Sequence, residues 1–400
     1  MVTVVTPSKS SASMKAKTQP SAVTVLEAVD GKQPGWRARV HRPDGGTSTL
    51  EFEPLGETAT GPVVLDGLVA AVLPAVMRAG GTLRVEGPVT RGALRNFTEF
   101  AEAWANWGPN RFRRITIQAS HVVDGHQGPT DHSALVAWSG SLRSTHILVR
   151  HLDARIQAPF TLRGVVRVLG LHPAEQDVDH LRALAPARQV MADLGLPLLA
   201  VRTNAAAAGF MDPEIGTLPL VAAALHLVGT RCAAGLHARS WLFTAQQRYP
   251  RPGPVLPDLL SGDAFSVRAD GGTTTPPGMV REVLQHPTLA SVLSDCERSP
   301  RHAPPCGRCI GCTVTALALA AAGVEYQGPR LGWMGIGRIP FTNPRRAAEA
   351  EAILQEWRGG AKAARAVLAA RTSLNHRALH LRATFRWLGA AAGLRPPWPR

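Results

Sequence analysis

Two groups of residues in this chain have side chains and spacing suited to chemistry. The first is Ser139, Gly140, Ser141, Leu142, Arg143, Ser144 and Thr145, directly after the apolar run Ala134-Leu-Val-Ala-Trp138. A buried strand that runs through Gly and Ser into a helix gathers amide groups, hydroxyls and the positive end of the helix at one point, which suits phosphate. Ser144 or Thr145 is the expected cap of that helix, which continues through Ile147, Leu148 and Val149. The second group is Cys296, Cys306, Cys309 and Cys312, four of the five cysteines. Cys-x2-Cys-x2-Cys folds back so that three thiolates reach one point, and the loop after Cys296 returns the fourth. A closed set of four thiolates favours structural zinc over hard cations, and an iron-sulfur cluster is the rival for the same ligands. Disulfides are the poorer explanation in a chain read as having no export signal. Cys232, next to Arg231 in an apolar stretch, reads as a buried thiol.

The elements that must position these groups follow from periodicity. Trp36 to Val40 and Thr47 to Glu53 alternate around the turn Pro43-Asp-Gly-Gly46 and form a β-hairpin. Val63 to Leu65 reads as a short strand, and Asp66 as the cap of a helix through Met77 that Gly80-Gly81 ends, with Pro74 as a kink. Thr82 to Glu86 is a strand, and Thr90 to Trp107 a helix with Leu94, Phe97, Trp104 and Trp107 on one stripe. Arg113 to Ala119 is a strand again. Residues 30–122 are therefore expected to make a small α/β domain, with 123–133 as its linker.

From Ala134 strands and helices alternate, the pattern of a doubly wound, mainly parallel sheet. Gly164 to Gly170 and Leu196 to Val201 read as further strands, Ala174 to Leu194 and Leu218 to Val228 as helices, and Leu236 to Phe243 as a fourth strand. Ligands of such sheets lie beyond the carboxyl ends of the strands, so Ser139, His172, Asn204 and Ser240 are expected at one crevice. Arg188, Arg202, His226 and His237 have a plainer use as surface or core residues. From Arg251 to Pro277 the chain reads as long Pro- and Gly-rich connections, after which Arg281 opens a helix toward Leu284.

The loop resembles the Ser-Gly-Gly-x-Asp-Ser loop of the PP-loop ATP pyrophosphatase superfamily, matching it at Ser139, Gly140, Leu142 and Ser144. Ser141 stands where the family has its second Gly, and Arg143 where it has Asp. Joined to a four-cysteine knuckle after the sheet, the loop resembles the branch typified by 7-cyano-7-deazaguanine synthase, over roughly Ala134 to Ala322. The resemblance implies a Rossmann-like nucleotide-binding domain over 134–338 that includes the zinc knuckle at 296–312. It implies ATP held by Ser139, Gly140, Ser141, Leu142, Arg143, Ser144, Thr145 and Asn204, with Ser139, Arg143 and Ser144 at the chemistry and magnesium on the phosphates. The implied activity is adenylation of a carboxylate, carbonyl or amide oxygen with release of pyrophosphate, followed by transfer to nitrogen or another nucleophile. A decayed pseudo-enzyme that binds a partner and a tRNA-modifying member of the superfamily are the alternatives.

Composition bounds the rest. Four hundred residues at 45% hydrophobic can bury a sizeable core, and no apolar run approaches the length of a membrane span. Residues 1–29, with Lys9, Lys15 and Lys17 among Ser and Thr, are expected to be a disordered basic tail rather than a secretory signal, and the cytoplasm is the expected location. The formal charge of +15 is uneven, with nine Lys or Arg and no Asp or Glu from Arg358 to Arg400. The segment 339–400 is read as a basic helical tail, including a helix from Arg345 to Trp357. Its apolar stripe suits packing on the sheet domain, and its basic face suits RNA or a protein partner.

Overall fold

The computed structural model describes residues 22–29, 35–56, 64–124, 128–171, 184–239, 256–293, 309–324, 344–358, 362, 364–370 and 372–373. Ten strands form one sheet: β1 Val23–Val29, β2 Trp36–His41, β3 Thr47–Pro54, β4 Gly81–Thr90, β5 Ile115–Val123, β6 Ser133–Ala137, β7 Thr161–Leu169, β8 Leu198–Thr203, β9 Ala234–Ala238 and β10 Ser266–Asp270. Their spatial order is β10-β9-β6-β7-β8-β3-β2-β1-β4-β5. The helices are α1 Asp66–Ala79, α2 Arg91–Trp107, α3 Leu142–Leu152, α4 Ala185–Asp193, α5 Leu218–Val228, α6 Pro276–Val283, α7 Pro287–Ala290, α8 Ile310–Ala322 and α9 Pro344–Gln355. The architecture is α/β with a large, mostly parallel sheet.

Strands β6 to β10 pair only in parallel with one another. Numbered within this half, their order across the sheet is 3-2-1-4-5, the Rossmann-like doubly wound arrangement. The preceding residues do not stand beside that sheet but extend it. Strand β3 pairs antiparallel with β8 through Phe52–Thr203, Glu53–Arg202 and Pro54–Val201, and β2, β1, β4 and β5 follow outward.

Period-two alternation divides the buried residues between the two faces. Ala134 and Val136 of β6 join Val165, Ala234 and Leu236 under α3, α6, α8 and α9. Leu135, Val166, Val168 and Val201 face the other way, into one core with Leu26, Leu50, Phe52, Phe97 and Phe100 from the N-terminal half. Helices α1 and α5 meet over that second core. Gly67 lies at their crossing, where an added Cβ would stand 2.9 Å from the Ala223 carbonyl and 2.9 Å from the His226 Cβ. The absence of a side chain there is what allows the two helices to touch.

Several local expectations change. Val23–Val29, within the stretch expected as a disordered tail, forms β1, an inner strand between β2 and β4. Leu65 is the residue before α1 rather than the end of a strand, and Asp66 does not cap its own helix. Its buried carboxylate accepts from the Thr90 amide at 2.9 Å and the Thr90 hydroxyl at 2.7 Å, fixing the start of α2, where the Thr90 hydroxyl accepts from the Ala93 amide. Phe97, Phe100 and Trp104 make the buried stripe of α2, while Trp107 is 50% exposed. Helix α4 begins at Ala185, β9 covers Ala234–Ala238, and β10 lies inside the region read as loops. Residues 63, 172–183 and 240–255 lie outside the described set.

Asn204, expected among the nucleotide ligands, secures the seam between the two halves. Its Oδ1 accepts from the Glu51 amide at 2.9 Å and its Nδ2 donates to the Thr49 carbonyl at 2.9 Å. Both ends of the amide are spent on the backbone of β3, continuing the β3–β8 ladder by one residue. Asn204→Ala is expected to lower stability by about 1–3 kcal/mol, the cost of orphaning such groups. Urea unfolding measures it, and a variant as stable as the native chain would show that the strand ladder alone holds the seam.

Candidate functional site

Strand β6 has β7 on one side and β9 on the other, so its chain leaves at the point where the strand order reverses. Gly140, at φ 78, makes the turn there, a conformation costly for other residues. Ser141 is the cap of α3, with its side chain accepting from the Ser144 amide at 3.4 Å. The helix thus starts earlier than capping by Ser144 or Thr145 requires.

Three hydroxyls converge in this turn. Ser139 Oγ donates to Ser141 Oγ at 2.9 Å, Ser139 and Ser144 Oγ are 3.2 Å apart, and Ser141 and Ser144 Oγ are 3.1 Å apart. The Ser139 amide donates to Ser144 Oγ at 3.1 Å, while Ser144 Oγ donates to the Ser141 carbonyl at 3.1 Å. Ser139 and Ser141 are half-buried, and Ser144 is buried. Each hydroxyl can rotate its proton from a neighbour toward a ligand oxygen. From behind, buried Arg167 of β7 donates from Nη1 to the Ser139 carbonyl at 3.0 Å. Thr145 faces inward and accepts from Trp138 Nε1 at 3.0 Å, and Leu142 packs in the core, so these two hold the loop's shape.

Arg143 does not stand free over the loop. Its Nη2 donates to Oε1 of Glu349 on α9 at 2.6 Å, and the two side chains are 15% and 4% exposed. Immediately after α9, the Glu356 carboxylate accepts from Arg281 Nη2 of α6 at 2.5 Å and from the Thr275 hydroxyl. Burial alone would raise the Glu356 pKa, but the Thr275 hydrogen bond and Arg281 hold it below the ordinary range. The first helix of the basic tail therefore docks through its acids. Glu349 and Glu356 had no part in the sequence reading, and their only signal there was that they are acids in a basic, alanine-rich segment.

The cysteine group is described in part. Cys309 caps α8, with its Sγ accepting from the Cys312 amide at 3.4 Å, and both cysteines are buried against each other. Cys296 and Cys306 lie outside the described residues, as do His172 and Ser240. Among the described residues no three His, Cys, Asp or Glu side chains stand together as a metal-binding group. Burial pushes the Cys232 thiol pKa up, consistent with an inert core thiol.

Polar contacts along α3 had no counterpart in the sequence pattern either. His151 Nδ1 accepts from the Phe160 amide at 3.0 Å, so Nε2 carries the proton and donates to Asp270 at 3.0 Å. Arg150 reaches the same carboxylate at 3.2 Å. Burial works against the Asp270 charge, but His151 and Arg150 together hold its pKa low. His146, on the buried side of α3, has Nε2 at 3.0 Å from Glu282. Of the side chains given plainer uses, Arg202 pairs with Glu53 at 2.6 Å, Arg188 donates to the Leu55 carbonyl at 3.3 Å, and His226 donates to the Leu260 carbonyl at 2.7 Å.

Comparison of the chain with protein-family models, with curated proteins and with solved structures yields no match. No helix among the described residues is long and apolar enough to cross a membrane.

Burial depresses the pKa of His146, with Glu282 opposing in part, and of His226, with Asp66 opposing. Both rings fold neutral, so below about pH 6.5 the unfolded chain takes up protons that the folded chain refuses. Stability is then full above that value and falls with pH, by at most about 1.4 kcal/mol per unit for each ring until its folded pKa is reached. Urea unfolding at about pH 7.5 and about pH 5.5 measures the loss, and His226→Gln, which keeps a donor for Leu260, is expected to reduce it. Equal stability of the native chain at both values would contradict the assignment.

Proposed function

We propose that the chain is an ATP-dependent enzyme that binds the nucleotide phosphates at Ser139 to Ser144 and adenylates a carboxylate, carbonyl or amide oxygen of a second substrate. The observation that carries this reading is the placement of the loop. It leaves the carboxyl end of β6, between β7 and β9 where the strand order reverses, with three serine hydroxyls within 3.2 Å of one another at the start of α3. Amides of a first helical turn, rotatable hydroxyls and a guanidinium suit the three oxygens of a phosphate. The resemblance of the loop to Ser-Gly-Gly-x-Asp-Ser adds the reaction class. The substrate oxygen would attack the α-phosphorus with pyrophosphate as the leaving group, and a nitrogen or other nucleophile would then displace AMP; magnesium, when bound, would neutralise charge on the phosphates. The loop's share would be positional and electrostatic, since donors aimed at the phosphates stabilise the charge that grows on the leaving pyrophosphate.

The pairing of Arg143 with Glu349 favours a second reading, in which the loop has become structural and the protein serves as a binding subunit. Isothermal titration of the full chain with ATP, AMP and pyrophosphate in magnesium separates the two. Binding of ATP and pyrophosphate, with AMP formed from ATP once an acceptor is supplied, is expected. Absence of binding by all three, with turnover gained in the double variant Ser141→Gly with Arg143→Asp, would establish the second reading.

The four cysteines are proposed to hold structural zinc, which would pin the start of α8 against the sheet domain. Metal analysis of purified protein is expected to find about one zinc per chain, the stoichiometry of one four-thiolate site. Cys309→Ala or Cys312→Ala is expected to lose it together with thermal stability. Iron with visible absorption in place of zinc would identify a cluster instead.

A further inference from the structure

The cation in the loop and the acid on α9 are 206 positions apart in sequence, and their contact has a geometry that an incidental surface pair would lack. Glu349 is 4% exposed, while Arg143 offers it a single nitrogen, Nη2, at 2.6 Å. The other nitrogen of the fork, Nη1, is also buried and has no hydrogen-bond partner. An Arg fork can serve two acceptors at once, and a buried guanidinium N–H without one is costly. Helix α9 has a second fastening at Glu356, through Arg281 and Thr275, so the position of Glu349 does not depend on Arg143 alone.

We propose that Glu349 is a positioning residue for the phosphate loop: it holds one arm of Arg143 so that the buried Nη1 is presented to a phosphate oxygen of the bound nucleotide. The tail thus supplies the carboxylate that orients the cation at position 143. The pair brings no net charge to the first turn of α3, and phosphate affinity depends on the direction of the guanidinium as well as its charge. Helix α9 becomes part of the nucleotide site. This inference rests on the phosphate-binding reading of the loop given above.

The test compares pyrophosphate binding by the full chain with that of Glu349→Gln and Glu349→Ala. The amide of Gln still offers an oxygen to Nη2, whereas Ala offers nothing. Glu349→Gln is expected to bind at least as tightly as the native chain, and Glu349→Ala about tenfold more weakly, the scale of one charge-assisted hydrogen bond. Arg143→Ala should lose at least as much, with no further loss in the double variant. Tighter binding by both Glu349 variants would make Glu349 an internal competitor of the phosphate and overturn the inference, and unchanged binding by both would make the pair purely structural and overturn it too. Hydrogen exchange of the ligand-free chains keeps the test independent of global folding: the amides of 142–145 should exchange faster in Glu349→Ala than in Glu349→Gln, while those of β4 and β5 stay unchanged. Failure of the native chain to bind pyrophosphate rejects the phosphate site itself, and with it the ligand assigned to Nη1. Binding by the native chain with Glu349→Ala equally tight rejects the present inference alone.

Discussion

Strand β6 is hydrogen-bonded on both edges, and that constraint organises the site. A strand with neighbours on each side offers its chain no lateral way out, and in a parallel sheet the return must cross a face as a helix. The chain therefore turns sharply beyond Ala137 and enters α3 at once. Its two neighbours, β7 and β9, lie on either side of the point where the strand order reverses. Gly140 is required by the turn, Ser141 by the helix start, and Trp138 is locked beneath by its bond to Thr145. Ser141 thus has a structural role before any ligand is considered, and Ser139 and Ser144 hydrogen-bond to it.

Charge around the turn is handled by pairing across long sequence separations. Arg143 and Arg281 each find a carboxylate on or just after α9, and Arg150 and His151 share Asp270 at the end of β10. Removing one partner from such a half-buried pair would leave an uncompensated charge, so these contacts specify how the elements dock more than they add to stability. The tail illustrates the consequence. Its net charge is positive, yet among the described residues Glu349 and Glu356 are the ones that reach the sheet domain through ion pairs.

The N-terminal half is bound to the rest by three physical means. Backbone pairing of β3 with β8 makes the sheet continuous, Asn204 extends that pairing with its side chain, and Gly67 lets α1 lie directly on α5. The shared core beneath α1 and α5 takes residues from β1, β2 and β3 as readily as from β7 and β8. The seam uses the outer edge of β8, so it protects an edge strand of the parallel half that would otherwise be exposed.

Local pattern alone determined the elements whose burial is strongly periodic or whose turn chemistry is explicit. The β2–β3 hairpin around Asp44-Gly-Gly46, the start of α2 at Thr90, the strand-turn-helix from Ala134 through Ile147, and α5 from Leu218 to Val228 were all legible, because helix and strand periods and capping residues act over a few positions. Tertiary structure decided what those elements do together. Val23–Val29 and Ser266–Asp270 are short and become strands only beside partners that supply their hydrogen bonds. Asn204 has the same composition and spacing whether it meets a nucleotide or the backbone of β3, and only the approach of the hairpin settles which. In the sequence Arg143 is a cation in a loop of serines and glycine. The fold places Glu349 against it, because the electrostatic character of a site depends on distance in space, which the order of residues along the chain does not encode.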